Sequence, residues 1–337
     1  QALLRRGVRP GVPELYKSSF AKDGMAPRIS LSATSRERVA YHAYITNSSD
    51  RPSRNWVFSN ESLKHEGTRI ASRSPRGQAS ALGMSLPLEN ERGVSTLVRL
   101  SQQTPDAVRK LLAALDDFAI FAPVTPVLRG IAPDTAPRSP LGLYGGQLAE
   151  AVGLLVAQGD KSPFLADALT LIDWARNVKV GEPSRSFLSA SVPTSRYVIE
   201  FHDRFMAAGR DRLSGYDASE GALYVLFMLV LALNGPRVFA VDNFDQALNP
   251  RTARALTKVF VERALETERQ VLLTTHNPLV LDGLALDDPR IRLFTVSRDR
   301  AGRSRVRRVP VADLQQLKEK HGEFAVSRLW ISGRLGG

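Results

Sequence analysis

Apolar residues fill every position of 222–233, ALYVLFMLVLAL, and a run of this kind predicts a helix buried on all sides. Two shorter runs, VFAV at 238–241 and VLL at 271–273, predict strands covered on both faces, as parallel strands are. Each run abuts a polar cluster: Ser219-Glu220-Gly221, Asp242-Asn243, and Thr274-Thr275-His276-Asn277. Polar residues at the carboxyl ends of buried parallel strands face the crevice where α/β sheets bind ligands.

The first third reads differently. Segments 27–34, 38–47 and 55–59 are strand-like, with turn residues Asn47-Ser48-Ser49-Asp50 before the third. Segment 93–101 fits either element, and 105–117 predicts an amphipathic helix opening at a Thr-Pro pair. Further on, 118–131 reads as a strand and a proline-punctuated turn, and Pro133, Pro137 and Pro140 mark a loop. Helical spacing predicts a helix over 164–176, and alternation predicts a strand over 195–202. Residues 291–309 read as strand, turn and strand.

Composition narrows the class. The 337 residues can build one large domain or two lobes with a sizeable core. Zero cysteines excludes disulfides and thiolate metal sites and fits a cytoplasmic protein. No segment reaches the eighteen or so apolar residues of a spanning helix, so no membrane partner is expected. The start, QALLRRGVRP, lacks the ordered regions of a signal peptide. A formal net charge of +12 favours polyanionic partners, DNA or RNA among them, although a basic solvated surface is the alternative. Arg298, Arg300, Arg303, Arg305, Arg307 and Arg308 concentrate that charge in the last predicted hairpin. It reads equally as a charged edge or a phosphate-contacting ribbon, with no aromatic interleaved among the arginines. His42, His65 and His202 read as strand or surface residues, since no metal-ligand spacing surrounds them.

Taken together, the order of clusters over 213–284 resembles the second half of an ABC-type ATPase domain of the RecF/SMC/OLD-like group, an assembly of P-loop NTPase fold. Ser219-Glu220-Gly221-Ala222-Leu223 is similar to that group's signature loop, 237–242 to its Walker B strand, 247–250 to its D-loop, and 271–278 to its switch-histidine strand. The resemblance implies an α/β fold with a mainly parallel core sheet and an antiparallel β lobe. It divides the chain into that lobe at 1–130, a helical connecting region at 131–210, and the signature, Walker B and switch half at 211–337.

The roles that the resemblance implies are specific. Ser219, Glu220 and Gly221 would meet the γ-phosphate held by a second copy, with Leu248 and Asn249 communicating across the pair. Asp242 would hold Mg²⁺ and His276 would contact phosphate or water. The bland alternatives are an N-cap for Ser219 and a helix start for Asn249-Pro250. Glu220 would repel phosphate, so its carboxylate is expected to point away. Asn243 departs from the group, which usually has glutamate there; an amide orients water but cannot take its proton. Hydrolysis is therefore expected to be slow unless Asp245, the nearest carboxylate, replaces the base. Similar D-N-x-D arrangements occur in ATPases of bacterial defence systems such as Septu.

One motif is absent. No G-x-x-x-x-G-K-[ST] loop occurs in the 337 residues. In the group it precedes a helix whose tail Ala2–Gly7 resembles, so the loop is expected to lie outside this chain. Gly145-Gly146, lacking a following lysine, reads as a helix start. Gln78, Gln102, Gln103 and Gln147 all remain open for the Q-loop. No nuclease constellation is present; Asp287-Asp288 has no partner carboxylates at useful spacing.

The implied protein is an ABC-type ATPase that forms a homodimer, or a higher even-numbered oligomer, around ATP and Mg²⁺. It would regulate a separate effector, a nuclease by preference, in a bacterial antiphage complex. A DNA-repair or chromosome-maintenance ATPase of the RecF/SMC kind and a nucleotide-free scaffold are the alternatives.

Overall fold

The computed structural model describes residues 28–47, 56–184, 188, 196–300, 302–314, 316 and 325–335. The helix tail expected at Ala2–Gly7 lies outside them. The chain forms two compact units, Gln1–Phe118 and Ala119–Gly337.

In the first unit β1 (Arg28–Thr34), β2 (Val39–Asn47), β3 (Trp56–His65), β4 (Thr68–Arg73), β5 (Ala79–Ala81) and β6 (Met84–Leu86) form a six-stranded antiparallel sheet in sequence order. Alternation decides which side is inside. Val39, Tyr41, Ala43 and Ile45 of β2 are buried with Trp56, Phe58 and Leu63 of β3. Helices α1 (Val94–Leu100) and α2 (Asp106–Asp117) bring Val94, Val98, Val108 and Leu112 to the same core. The ambiguous stretch 93–101 is therefore helical.

A charged group also sits inside. Glu61, on an inward position of β3, accepts hydrogen bonds from Tyr41 Oη at 3.0 Å, Arg73 Nε at 3.2 Å and Val94 N at 3.0 Å. Arg73 also donates to Asn90 Oδ1 at 2.7 Å and to the carbonyls of Leu88, Glu89 and Arg92. The pair thereby ties the segment between β6 and α1 to the sheet. Burial raises the Glu61 carboxyl above its ordinary range, partly offset by the Val94 amide and Arg73.

The second unit opens with β7 (Ala119–Phe121), the short α3 (Thr125–Leu128), α4 (Leu148–Val156) and α5 (Phe164–Leu171). Next come β8 (Ala175–Gly181), β9 (Val198–Asp203), β10 (Arg212–Ser214), α6 (Glu220–Asn234) and β11 (Val238–Val241). The remaining elements are α7 (Pro250–Glu266), β12 (Gln270–Leu273), β13 (Leu293–Arg298), β14 (Ser304–Val309) and α8 (Val326–Ile331). Strands β12, β11 and β7 form a parallel sheet, β10, β9 and β8 an antiparallel one, and β13–β14 a separate hairpin. The architecture is mixed α/β, with a parallel sheet beside antiparallel ones.

Helix α6 is the centre of this unit. Residues 222–232 are all buried, against Phe121, Phe239, Phe260 and the apolar faces of α4, α5 and α7. Its last carbonyls are not orphaned: Thr267 Oγ1 and Arg269 Nε donate to Ala232 O at 2.9 and 3.0 Å.

Two expectations need correction. The helix read over 164–176 ends at Leu171, and Ala175 already belongs to β8. Pairing of β8 with β9, Ala175 opposite Asp203, overrides the local helical spacing. Trp174 instead packs its ring 5.3 Å from that of Phe201. The turn expected after 118–121 holds the one-turn helix α3.

Candidate functional site

The parallel sheet places two polar clusters side by side. β11 ends at Val241 and β12 at Leu273, and these two residues are register partners. The residues that follow, Asp242-Asn243 and Thr274-Thr275, therefore leave the same edge together. Thr274 Oγ1 donates to Asp242 Oδ1 at 2.6 Å and accepts from Asn243 N at 2.9 Å. Thr275 Oγ1 donates to Asp245 Oδ1 at 2.6 Å. Asp242, Asn243 and His276 are exposed, so their side chains face solvent at the strand ends.

Asn243 adopts the left-handed region at φ 52°, which asparagine tolerates better than most residues. Its carbonyl accepts from Tyr224 Oη at 2.7 Å. Burial, with Asp245 and Asp242 adding their charges, pushes the Tyr224 hydroxyl well above its ordinary pKa, so it is held as a neutral donor.

The second cluster lies at the other end of the same loop. Ser219 Oγ caps α6 by accepting from Ala222 N at 3.3 Å, and Asn249 Oδ1 caps α7 by accepting from Thr252 N at 2.9 Å. Both bland capping roles are thus filled. These two helix starts line one cleft, with Ser219, Gly221, Ala247, Leu248, Asn249 and Thr252 on its walls beside Asp173 and Trp174. Gly221 is required by close approach: a Cβ there would lie 2.9 Å from Ala247 O. Ala247 itself is left-handed at φ 61°, so the loop 242–249 carries two such residues.

Glu220 is not among the residues lining this cleft. Its carboxylate accepts the Thr125 hydroxyl of α3, and Arg129 Nη2 donates to Ala218 O at 3.0 Å. The segment before α6 is thereby braced from α3. Leading into it, Ser214 Oγ donates to Asp217 Oδ2 at 2.6 Å.

Asp242, Asn243, Asp245 and the residues before His276 thus meet in one hydrogen-bonded group, and Ser219, Gly221, Leu248 and Asn249 line one cleft. The loop 242–249 and the Tyr224 hydroxyl connect the two. Sequence reasoning missed Tyr224, Thr125 and the holding roles of Thr274 and Thr275. For Tyr224 a signal existed, as the lone polar tip in the apolar run 222–233.

Other candidates resolve plainly. Gly145 and Gly146 precede α4, and the Gly146 and Tyr144 amides donate to the carboxylate of Asp134 at 3.1 and 3.2 Å. These amides are engaged by an internal carboxylate. His202 lies on β9 with Nδ1 3.4 Å from Asp211 Oδ2 and Nε2 2.9 Å from Glu200 Oε1. Among the described residues no group of three or more His, Cys, Asp or Glu is placed to hold a metal ion, and no helix is long and apolar enough to cross a membrane.

Residues 176–282 match the family model described as "AAA domain, putative AbiEii toxin, Type IV TA system". That span takes in β8 through the strand-end cluster and both helix caps. No curated protein matches the chain. Among solved structures, the chain overlaps an SMC ATPase studied for ATP-driven dimerization and DNA-stimulated activation, with 15% identity, 51% of this chain and 91% of that one, and a TM-score of 0.33. It overlaps an SMC head bound to the C-terminal winged-helix domain of ScpA with 12% identity, 84% and 79% coverage, and a TM-score of 0.38. The SMC head of Pyrococcus furiosus, bound to the C-terminal domain of ScpA, gives 12% identity, 86% and 82% coverage, and a TM-score of 0.34.

Proposed function

We propose that this chain is the ATP-binding subunit of an ABC-type ATPase that pairs with a second copy around the nucleotide and hydrolyses it slowly. The observation that carries the reading is the loop 242–249. It joins a solvent-facing aspartate at the end of a buried parallel strand to a serine-glycine helix start in one connected unit. The family match over 176–282 spans that unit and supports it.

The residues fit Mg²⁺ and ATP as the donor set of such a site. Asp242 is an exposed carboxylate whose Oδ1 is fixed by Thr274, and hard oxygen ligands of this kind suit Mg²⁺. When bound, the metal supplies charge neutralisation at the terminal phosphates. Thr274 fixes the direction of Asp242, and Tyr224 fixes the backbone of Asn243. Ser219 and the amides opening α6 present a positive helix end, with Glu220 engaged by Thr125. Asn243 can orient water and leaves its proton in place, which makes turnover slow. Asp245 is engaged by Thr275, and this positions it to hold the loop.

The biological setting we favour is a bacterial antiphage complex in which this subunit restrains or licenses a separate effector nuclease. The asparagine after Asp242, shared with defence ATPases, supports it. A titration of the full-length protein with ATP·Mg²⁺, followed by oligomer mass and phosphate release, tests the reading. Binding with dimer formation and slow release is expected. No binding at millimolar ATP would leave a nucleotide-free scaffold, and rapid release would overturn the role given to Asn243.

A further inference from the structure

The basic hairpin has two unlike faces. Register places Phe294 opposite Arg308, Val296 opposite Val306 and Arg298 opposite Ser304, so these six side chains share one face. The other face carries Leu293 and Val309, then Thr295 with Arg307 and Ser297 with Arg305. On that second face the charges are spent internally. Arg305 pairs with Asp299 at 2.9 Å, Arg307 donates to Leu335 O, and Val309 is buried in the C-terminal cluster with Leu329 and Leu335.

The first face is the reverse. Phe294, Val296 and Val306 are 46%, 65% and 68% exposed. Arg298 and Arg308 are exposed beside them, with no ion-pair or hydrogen-bond partner among the described residues. Arg300 and Arg303 stand at the turn, and the hairpin's lone carboxylate, Asp299, is engaged by Arg305 and by the Arg303 amide. Folding has thus set an aromatic ring beside one unpaired guanidinium group and an apolar floor between that group and a second.

We propose that this face binds single-stranded nucleic acid, Phe294 stacking on a base while Arg298 and Arg308 take the flanking phosphates. Arg308 lies level with Phe294, and Arg298 is four strand residues further, about 13 Å along the ribbon. The Val296–Val306 floor between them accommodates a second base. Charge selects the ligand class, since the six hairpin residues on this face include two arginines and no carboxylate, and the whole chain carries +12. The exposed apolar floor selects single strands, because duplex bases have their faces covered by their neighbours. The inference does not depend on the nucleotide site, so it is tested without ATP.

The test is fluorescence anisotropy of a labelled 20-nucleotide oligo(dT) with the full-length chain across a salt series. F294A should weaken binding roughly 5- to 150-fold, the range for loss of one stacked base. R298E/R308E should abolish it, and the neutral R298Q/R308Q should lower the slope of log K against log salt by about 1.4, as for two single-strand phosphates. The charge-matched R36E/R76E variant, exposed in the first unit, should stay within a few-fold of the parent. Equal loss in R36E/R76E, or unchanged binding in F294A, would overturn the proposal. So would duplex binding as tight as single-strand binding, or preferential capture of an acidic peptide or anionic vesicles by the same face. Unchanged circular dichroism in each variant excludes misfolding.

Discussion

The hydroxyl of Tyr224 donates to the carbonyl of Asn243 across 2.7 Å, joining the second turn of α6 to the loop that leaves β11. A tyrosine in an otherwise apolar, fully buried run has one polar atom to satisfy, and it is spent on holding a left-handed residue. Anything that moves the start of α6 is thereby felt at the strand-end cluster.

Tyr224→Phe should therefore destabilise the second unit by about 1 kcal/mol, a fall of about 2–4 °C in its melting midpoint. The same group gives an alkaline signature. Below about pH 10 the phenol is protonated in both folded and unfolded chains and adds no pH dependence. Above it the unfolded chain releases a proton that the fold retains, so stability falls as pH rises, by up to about 1.4 kcal/mol per unit. Burial raises Tyr41 in the same direction, so the Tyr224→Phe variant should flatten the decline without abolishing it. An equal fall of the melting midpoint between pH 9 and 11 in parent and variant would show that Tyr224 ionises freely in the fold.

Thr274→Val keeps the shape of the side chain and removes both its donor to Asp242 and its acceptor for Asn243. Because these groups are exposed, water replaces part of what is lost, and the stability cost should be about 1 kcal/mol or less. The effect on a bound metal should be larger. Nucleotide affinity measured with Mg²⁺ should drop about tenfold, a 1.4 kcal/mol change, while affinity in EDTA stays put. Thr274→Ser should restore it. Equal losses with and without Mg²⁺ would assign Thr274 to folding alone.

Much of this arrangement was readable from residue order. The all-round apolar run 222–233 and the short run 238–241 became the buried α6 and β11, because continuous apolar character records burial directly. The run 271–273 became β12, but the cover expected on both its faces is not there: β12 is the outer strand of its three-stranded sheet, and Leu272 is 57% exposed. What failed was non-local. The helical spacing runs on to residue 176, yet the helix ends at Leu171 and β8 begins at Ala175 because β9 offers a partner strand. Glu61 breaks the alternation of β3, and only Arg73 and the Val94 amide, brought in by folding, account for a carboxylate inside. Phe294 precedes the arginines in sequence, and cross-strand register alone sets it level with Arg308. The roles proposed for the signature, aspartate and histidine residues came from resemblance; the hydroxyls that hold Glu220 and Asp242 came from geometry.

Gly221→Ala probes the contact between the two helix starts. The added methyl would lie 2.9 Å from Ala247 O, a backbone atom that cannot rotate away. The loop 242–249 or the first turn of α6 must shift, at a cost of about 1–3 kcal/mol. Ser219 and Asn249 would both move, so ATP-dependent dimerisation should be lost even where the variant remains folded at 20 °C. Sedimentation of the full-length protein with and without ATP reads this directly. A variant that dimerises like the parent would remove the cleft from the proposed interface.

Asn243→Glu asks whether the missing base is what limits turnover. A carboxylate at the end of β11 could take a proton from water, and general-base catalysis is worth about 10²–10⁴-fold. The backbone resists the change: φ is 52° here, and a residue without asparagine's tolerance for that region costs about 1–2 kcal/mol. The expected variant is therefore less stable and faster, with phosphate release rising at least a hundredfold at saturating ATP·Mg²⁺ while nucleotide affinity changes little. Asn243→Asp, one methylene shorter, separates reach from charge and should gain less. If Asn243→Glu loses stability without gaining rate, the amide is there for the loop's left-handed turn and hydrolysis is limited elsewhere, with Asp245 the next group to remove.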